Sequence, residues 1–338
     1  MKKQISWINT ARTLCIIAIY LRHSEIYYEM TEDTSLLSDL FTPFRVVIFF
    51  FISGYLFFRK RLNPTSLTES QEHKGKDYIS ALKHLMFRLA IPTILFASFI
   101  YIPKCLFHDS GLSLSQYMYD VIGGTSYWFT SALTVAQVIL LTLIFITKTH
   151  ILRYLFLSVI FMMVGIYLGE EHYTAFPWHW QSALVATFFL CLGGTYQRYE
   201  NKIDQWLKPY GALVMTIAYF VLIFSGTSIE TMIAPIKLNT LGMATILLGL
   251  GFIISISKWL PDLNRLNYIG QHTITFYFFS GVMPALFSSI LHQLHNDVLP
   301  HAYIIVAIMS LCASFVTTYI INTKLAFLLD LRRLKKGV

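Results

Sequence analysis

Arg12 and His23 stand eleven residues apart in the first long apolar stretch of the chain. On an α-helix, at about 100° and 1.5 Å per residue, that spacing puts both side chains on one stripe, within about 20° of each other and about 16 Å apart along the axis. An imidazole with an ordinary pKa of about 6.5 can take a proton from a hydroxyl near neutrality, and a guanidinium makes charge-assisted hydrogen bonds to an anion. Ionisable groups at membrane depth are costly and generally face a cavity or a partner. The plainer alternative is that Arg12 snorkels to the headgroups at one surface while His23 makes a single interhelical hydrogen bond. Arg22 suits snorkelling at the other surface.

The second apolar stretch contains Phe49-Phe50-Phe51-Ile52-Ser53-Gly54-Tyr55-Leu56, a run interrupted by a small polar pair. Small residues allow close helix packing in membranes. The functional alternative is that Gly54 lets a ligand approach the backbone while Ser53 offers a hydroxyl. Arg88 with Pro92 begins the third stretch, which puts a kink next to a cation.

The elements that must position these residues follow from composition. Of 338 residues, 55% are apolar or aromatic and only 13% are charged, with a mean hydropathy of +0.58. A soluble domain commonly carries about 25% charged residues. The chain therefore reads as a membrane protein and not as a disordered chain, a nucleic-acid binder or a secreted disulfide scaffold. Cys15, Cys105, Cys191 and Cys312 are scattered singly, so neither a disulfide framework nor a metal-ligand spacing is visible, and no metal is expected. A hydrocarbon core of about 30 Å needs apolar helices of roughly 20 residues. Ten stretches qualify, at about 7–27, 43–60, 86–104, 127–147, 151–169, 181–198, 209–226, 238–257, 266–290 and 301–324. Asn9 and Arg12 in the first, and the lack of a small-residue cleavage pattern, argue for a retained helix and against a signal peptide. A polar loop spans about 61–84. The expected fold class is all-α, a single polytopic membrane domain over residues 1–338.

Orientation follows from Lys and Arg, which stay cytoplasmic in short loops. Of the 26 such residues, the loops opposite the termini hold only Lys104 and Lys237, and Arg12, Arg22 and Arg45 lie within or at the ends of spans. The remainder, from Lys2 and Lys3 to Lys335 and Lys336, fall in the alternate segments. Both termini should therefore be cytoplasmic, as an even number of crossings requires. The opposite loops are acidic and aromatic, with Glu29, Glu32, Asp33, Asp39, Glu170 and Glu171 and a belt from Tyr173 to Trp180.

Together these pieces resemble the acyltransferase-3 family of integral membrane acyltransferases. That family carries an Arg-x10-His pair on its first helix, here Arg12 and His23, and a Phe-Phe-x-Ser-Gly element, here Phe50, Phe51, Ser53 and Gly54. Its basic start of the third helix, Arg-x3-Pro, matches Arg88 and Pro92, and its Trp-Phe pair before the fourth matches Trp128 and Phe129. Near the ninth stretch its Gly-x-x-Ser, Tyr and His pattern is echoed by Gly270, Thr273 and Tyr277. The chain departs from the family pattern in three places. Asn9 stands where an acidic residue is usual, Leu85 where another Arg is common, with Lys83 and His84 as substitutes nearby, and Ser280 where a His is expected.

The resemblance implies an O-acyltransferase of the multi-pass cytoplasmic (inner) membrane that moves an acyl group, usually acetyl from acetyl-CoA, to a hydroxyl of a cell-surface or lipid-linked glycan. It makes acyl-CoA the co-substrate and the glycan and bilayer the partners, with no nucleic acid. His23 would be the general base and Arg12 a catalytic and donor-side contact. Arg88, Lys83, Ser53 and Gly54 would serve the acyl-CoA, and Trp128 and Tyr277 the acceptor. A transporter or flippase of a lipid-linked sugar is the rival activity, and it predicts two symmetric halves with broken helices, which the sequence does not display. In a second rival, a non-catalytic membrane component, Arg12 and His23 only fix helix packing.

Overall fold

The computed structural model of the protein describes residues 6–29, 35–61, 71–107, 113–147, 150–171, 177–207, 210–225, 240–261, 264–294 and 301–330. Lys2, Lys3, Glu32, Asp33, Tyr173, Lys237, Lys335 and Lys336, named above, lie outside the described residues. Those described are helical, with no strand among them. In chain order the helices are α1 (Ser6–Glu29), α2 (Leu36–Phe41), α3 (Val47–Arg61), α4 (Gln71–Leu85), α5 (Ile91–Phe107), α6 (Leu114–Tyr117), α7 (Trp128–Thr147), α8 (Ile151–Glu171), α9 (Trp180–Leu207), α10 (Tyr210–Phe224), α11 (Thr240–Trp259), α12 (Asn264–Gln271), α13 (Thr273–Phe279), α14 (Val282–Leu294) and α15 (Tyr303–Lys324). Six helical segments among them are long and apolar enough to cross a membrane: Tyr78–Tyr101, Trp128–Thr147, Ile151–Gly169, Gly242–Trp259, Thr273–Leu294 and Tyr303–Lys324.

Two stretches differ from the sequence reading. The third does not begin near residue 86. Helix α4 already starts at Gln71, inside the stretch read as a polar loop, and runs on through a π-helical segment, Met86–Ala90, into α5. Tyr78 binds this helix to α7, through a hydroxyl contact with Thr142 at 3.0 Å and a ring contact with Phe145. Pro92 accounts for the π segment, because it has no N–H to return to the carbonyl four residues back. The ladder instead widens by one residue, so that Ile91 N–H bonds the Met86 carbonyl. The ninth stretch is broken into α12, α13 and α14. Pro284, in the first turn of α14, likewise cannot bond the Ser280 carbonyl. The Ser280 hydroxyl turns back to the Tyr277 carbonyl at 2.8 Å.

Packing divides the chain into two compact units, 1–49 with 207–229 and 239–325, and 50–206 with 230–238 and 326–338. In the first, α1 packs against α2 and against α11 through α15. It can do so because it is apolar around much of its circumference and carries small buried residues, Ala11, Cys15 and Ala18. The closest approach is at Gly270 of α12, where a Cβ would overlap the Asn9 backbone. Tyr20, fully buried on α1, donates to the Phe276 carbonyl at 2.8 Å and lies 2.7 Å from Ser314 Oγ, which binds α13 and α15 to it. In the second unit α7 packs against α4, the π segment and α8, and α3 crosses α9 at Gly54 and Gly193.

Candidate functional site

The first unit holds three of the residues singled out by sequence. Arg12 and His23 are both half-buried on α1, and Tyr277 is half-buried on α13. The His23 ring lies 6.3 Å from that of Tyr27, nearly parallel to it, and makes no hydrogen bond to a described residue. The interhelical hydrogen bond of the plainer reading is therefore not formed with any described residue. The contrast is His292, whose Nε2 meets the Tyr28 carbonyl at 2.9 Å and whose ring stacks on Tyr28. Tyr28 is fully buried against Ala302, Tyr303 and Val306.

In the same unit as His23 the structure assembles groups that the sequence reading did not bring together. Glu25, almost wholly buried, accepts from Arg22 Nη1 at 3.0 Å, from Ser38 Oγ at 2.7 Å and from the Ser35 backbone N–H at 2.6 Å. A buried carboxylate is tolerated when it is paired and hydrogen-bonded in this way. The knot ties the end of α1 to the start of α2, where Ser35 is the N-cap. The turn that follows, 42–46, brings in Arg45. It is pinned from both sides: Phe44, fully buried, packs against Tyr219 and Phe252 with ring centroids 5.8 and 6.0 Å away, and the Tyr219 hydroxyl donates to the Leu40 carbonyl at 2.6 Å. Gly249 makes room for the Phe44 ring. The charges of Arg45 and Arg22 both act on His23. One signal for Arg45 was present in the sequence, since it is a cation at the acidic, aromatic end of its span.

The second unit holds Ser53, Gly54, Lys83, Arg88 and Trp128. Ser53 is half-buried and Gly54 buried. A Cβ at Gly54 would overlap the Leu190 carbonyl, and one at Gly193 the Phe51 carbonyl, so the backbone of α9 occupies the space that Gly54 leaves. Lys83 and Arg88 are exposed, Lys83 near the end of α4 and Arg88 within the π segment. That placement corrects the expectation of Arg88 at a helix start. Trp128 is half-buried as the first residue of α7, its ring edge-on to Phe129, which packs on Phe50 of the Phe-Phe-x-Ser-Gly element. Close by, Trp178 donates its indole N–H to the Ile122 carbonyl at 3.0 Å, and Gly124 adopts φ +71° beneath it, where a Cβ would press on Ser131 and the Trp178 ring.

The residues singled out by sequence are thus divided between the units: Arg12, His23 and Tyr277 in one, and Ser53, Gly54, Lys83, Arg88 and Trp128 in the other. Neither a curated protein nor a solved structure matches the chain. A family model described as an acyltransferase domain matches residues 5–319, nearly the whole sequence, and the chain therefore belongs to the acyltransferase-3 family.

Proposed function

We propose that this membrane acyltransferase is an O-acyltransferase that moves an acyl group, acetyl in the first instance, from cytoplasmic acyl-CoA to a hydroxyl of a cell-surface or lipid-linked glycan. The observation that carries the reading is the Arg12 and His23 pair on α1, in a chain of this family, with the His23 ring making no hydrogen bond to a described residue. In this reading the chain crosses the cytoplasmic membrane ten times with both termini inside. His23 takes the proton of the acceptor hydroxyl, and the oxygen attacks the thioester carbonyl carbon. The tetrahedral intermediate then collapses with cleavage of the C–S bond, and the CoA thiolate leaves with the proton returned from the imidazolium. Arg88 and Lys83, exposed cations on one continuous helix, suit the CoA phosphates. Arg12 acts deeper along the pantetheine path, and Ser53 supplies a hydroxyl. Trp128 and Tyr277 provide aromatic faces for the sugar.

The test uses purified protein in detergent or nanodiscs, with thiol release from acetyl-CoA measured with and without a glycan acceptor. Wild-type protein should release thiol and transfer acetyl. His23→Ala should lower turnover by about 10²–10⁴-fold at unchanged thermal stability. Near-normal turnover in the well-folded variant would remove His23 as the base. Movement of a lipid-linked sugar across the bilayer without thiol release would replace the enzyme by a flippase.

A further inference from the structure

Arg45 has no ion pair and no side-chain hydrogen bond among the described residues, and its Nη1 is buried without a partner. An unpaired guanidinium inside a helical membrane unit is costly, and the cost is ordinarily relieved by a counter-charge. The neighbouring cation is treated differently: Arg22 is neutralised by Glu25, and Glu25 in turn is saturated by Ser38 and Ser35. Asp39 and Glu25 lie within electrostatic range of Arg45 but form no ion pair with it. The cation is held by a rigid support, because the 42–46 turn is fixed by Phe44 between Tyr219 and Phe252 and by the bond from Tyr219 to Leu40. Its charge also acts on His23. A donor on a fixed turn, with its Nη1 buried and unpartnered and its charge felt at His23 of the same unit, matches what stabilises charge that appears only during reaction.

We propose that Arg45 is the oxyanion donor of the acyl-transfer step. This rests on the acyl-transfer reading above. When the acceptor oxygen bonds to the thioester carbonyl carbon, the carbonyl π electrons move onto oxygen, and the Arg45 N–H groups donate to that oxygen. When the C–S bond breaks, the electrons return to re-form the carbonyl, and Arg45 is left as it began. Arg45 is on this account a catalytic residue whose contact strengthens in the transition state, so its loss appears in kcat and not in donor binding.

The experiment compares wild-type protein with Arg45→Met and Arg45→Lys, measuring kcat and acceptor KM by thiol release and acetyl-CoA Kd by equilibrium binding. Arg45→Met should lower kcat by about 10²–10³-fold, the loss typical of a missing oxyanion donor, with Kd and KM within about threefold of wild type. Arg45→Lys should remain at least about tenfold below wild type, since a single ammonium does not reproduce the planar fork. If Arg45→Met is poorly folded, Arg45→Lys decides alone, because it keeps the charge and the apolar stem. Wild-type kcat in a folded Arg45→Lys variant would overturn the assignment. So would an intact kcat with a raised acceptor KM, which would make Arg45 a ground-state contact for an anionic group on the glycan. Absence of any thiol release by the wild-type protein would instead defeat the acyl-transfer reading itself.

Discussion

At the scale of single residues, the two arginines outside the Glu25 knot that the sequence singles out should act on the donor. Arg12→Ala and Arg88→Ala are each expected to weaken acetyl-CoA binding by about 10–100-fold, the worth of a hydrogen bond to a charged group. Lys should restore only part of either loss, because phosphate is gripped in two places by the guanidinium fork. Equilibrium binding of acetyl-CoA to the purified variants checks this, and unchanged donor affinity with lost acceptor use would reverse the assignment. The proposed role of Trp128 is on the acceptor side. Trp128→Ala should raise the acceptor KM while donor binding survives, whereas Trp178→Ala should chiefly lower thermal stability, since Trp178 holds the Ile122 carbonyl and covers Gly124. Parallel loss of stability in both would withdraw Trp128 from the acceptor site. The expected difference rests on how the two are built in: Trp128 opens α7 edge-on to Phe129, whereas Trp178 donates to a backbone carbonyl.

At the scale of elements, the crossing of α3 and α9 is the most sensitive packing feature of the second unit. Gly54 and Gly193 each let the opposing helix backbone come so close that an added methyl has no space. Gly54→Ala and Gly193→Ala should each cost about 1–3 kcal/mol, the range for overpacking, and a larger side chain at either position should prevent folding. Thermal unfolding of the detergent-purified variants measures it; a wild-type melting temperature for both would mean that the helices separate freely here. The sequence made this crossing only half legible. Gly54 carried the small-residue signal, but its partner lies more than a hundred residues away, and no local pattern names Leu190. The same limit explains Arg45. Its charge at the acidic end of a span was visible, but the support of its turn depends on Phe44 reaching Tyr219 and Phe252 on two distant helices. By contrast, the Arg12 and His23 stripe needed only helical geometry, and most of the ten apolar stretches are helices close to the expected positions. The breaks at Pro92 and Pro284 follow from backbone chemistry present in the sequence, but hydropathy windows average across them.

At the scale of the whole molecule, the proposed reaction requires that acyl-CoA and glycan arrive from opposite sides, so topology is part of the proposed mechanism. Lys and Arg are concentrated in alternate loops while the intervening loops are acidic and aromatic. That asymmetry predicts ten crossings, with residue 68 on the cytoplasmic side and residue 33 outside. The native thiols must be removed first: Cys312 is exposed on α15, whereas Cys15 and Cys191 are buried. In a background with all four cysteines replaced by Ser, single cysteines at Thr68 and Asp33 should respond oppositely to a thiol reagent that cannot cross the membrane. Asp33→Cys should label in intact cells, and Thr68→Cys only after permeabilisation. If both label in intact cells, residues 33 and 68 lie on one side with an even number of crossings between them, and the proposed meeting of CoA and glycan from opposite sides loses its topological basis. His23 and Arg12 would then lose the reason for their separation along α1. In the proposed mechanism a base about 16 Å from a donor-side cation is useful only if the pantetheine arm must bring its thioester through part of the membrane to the hydroxyl.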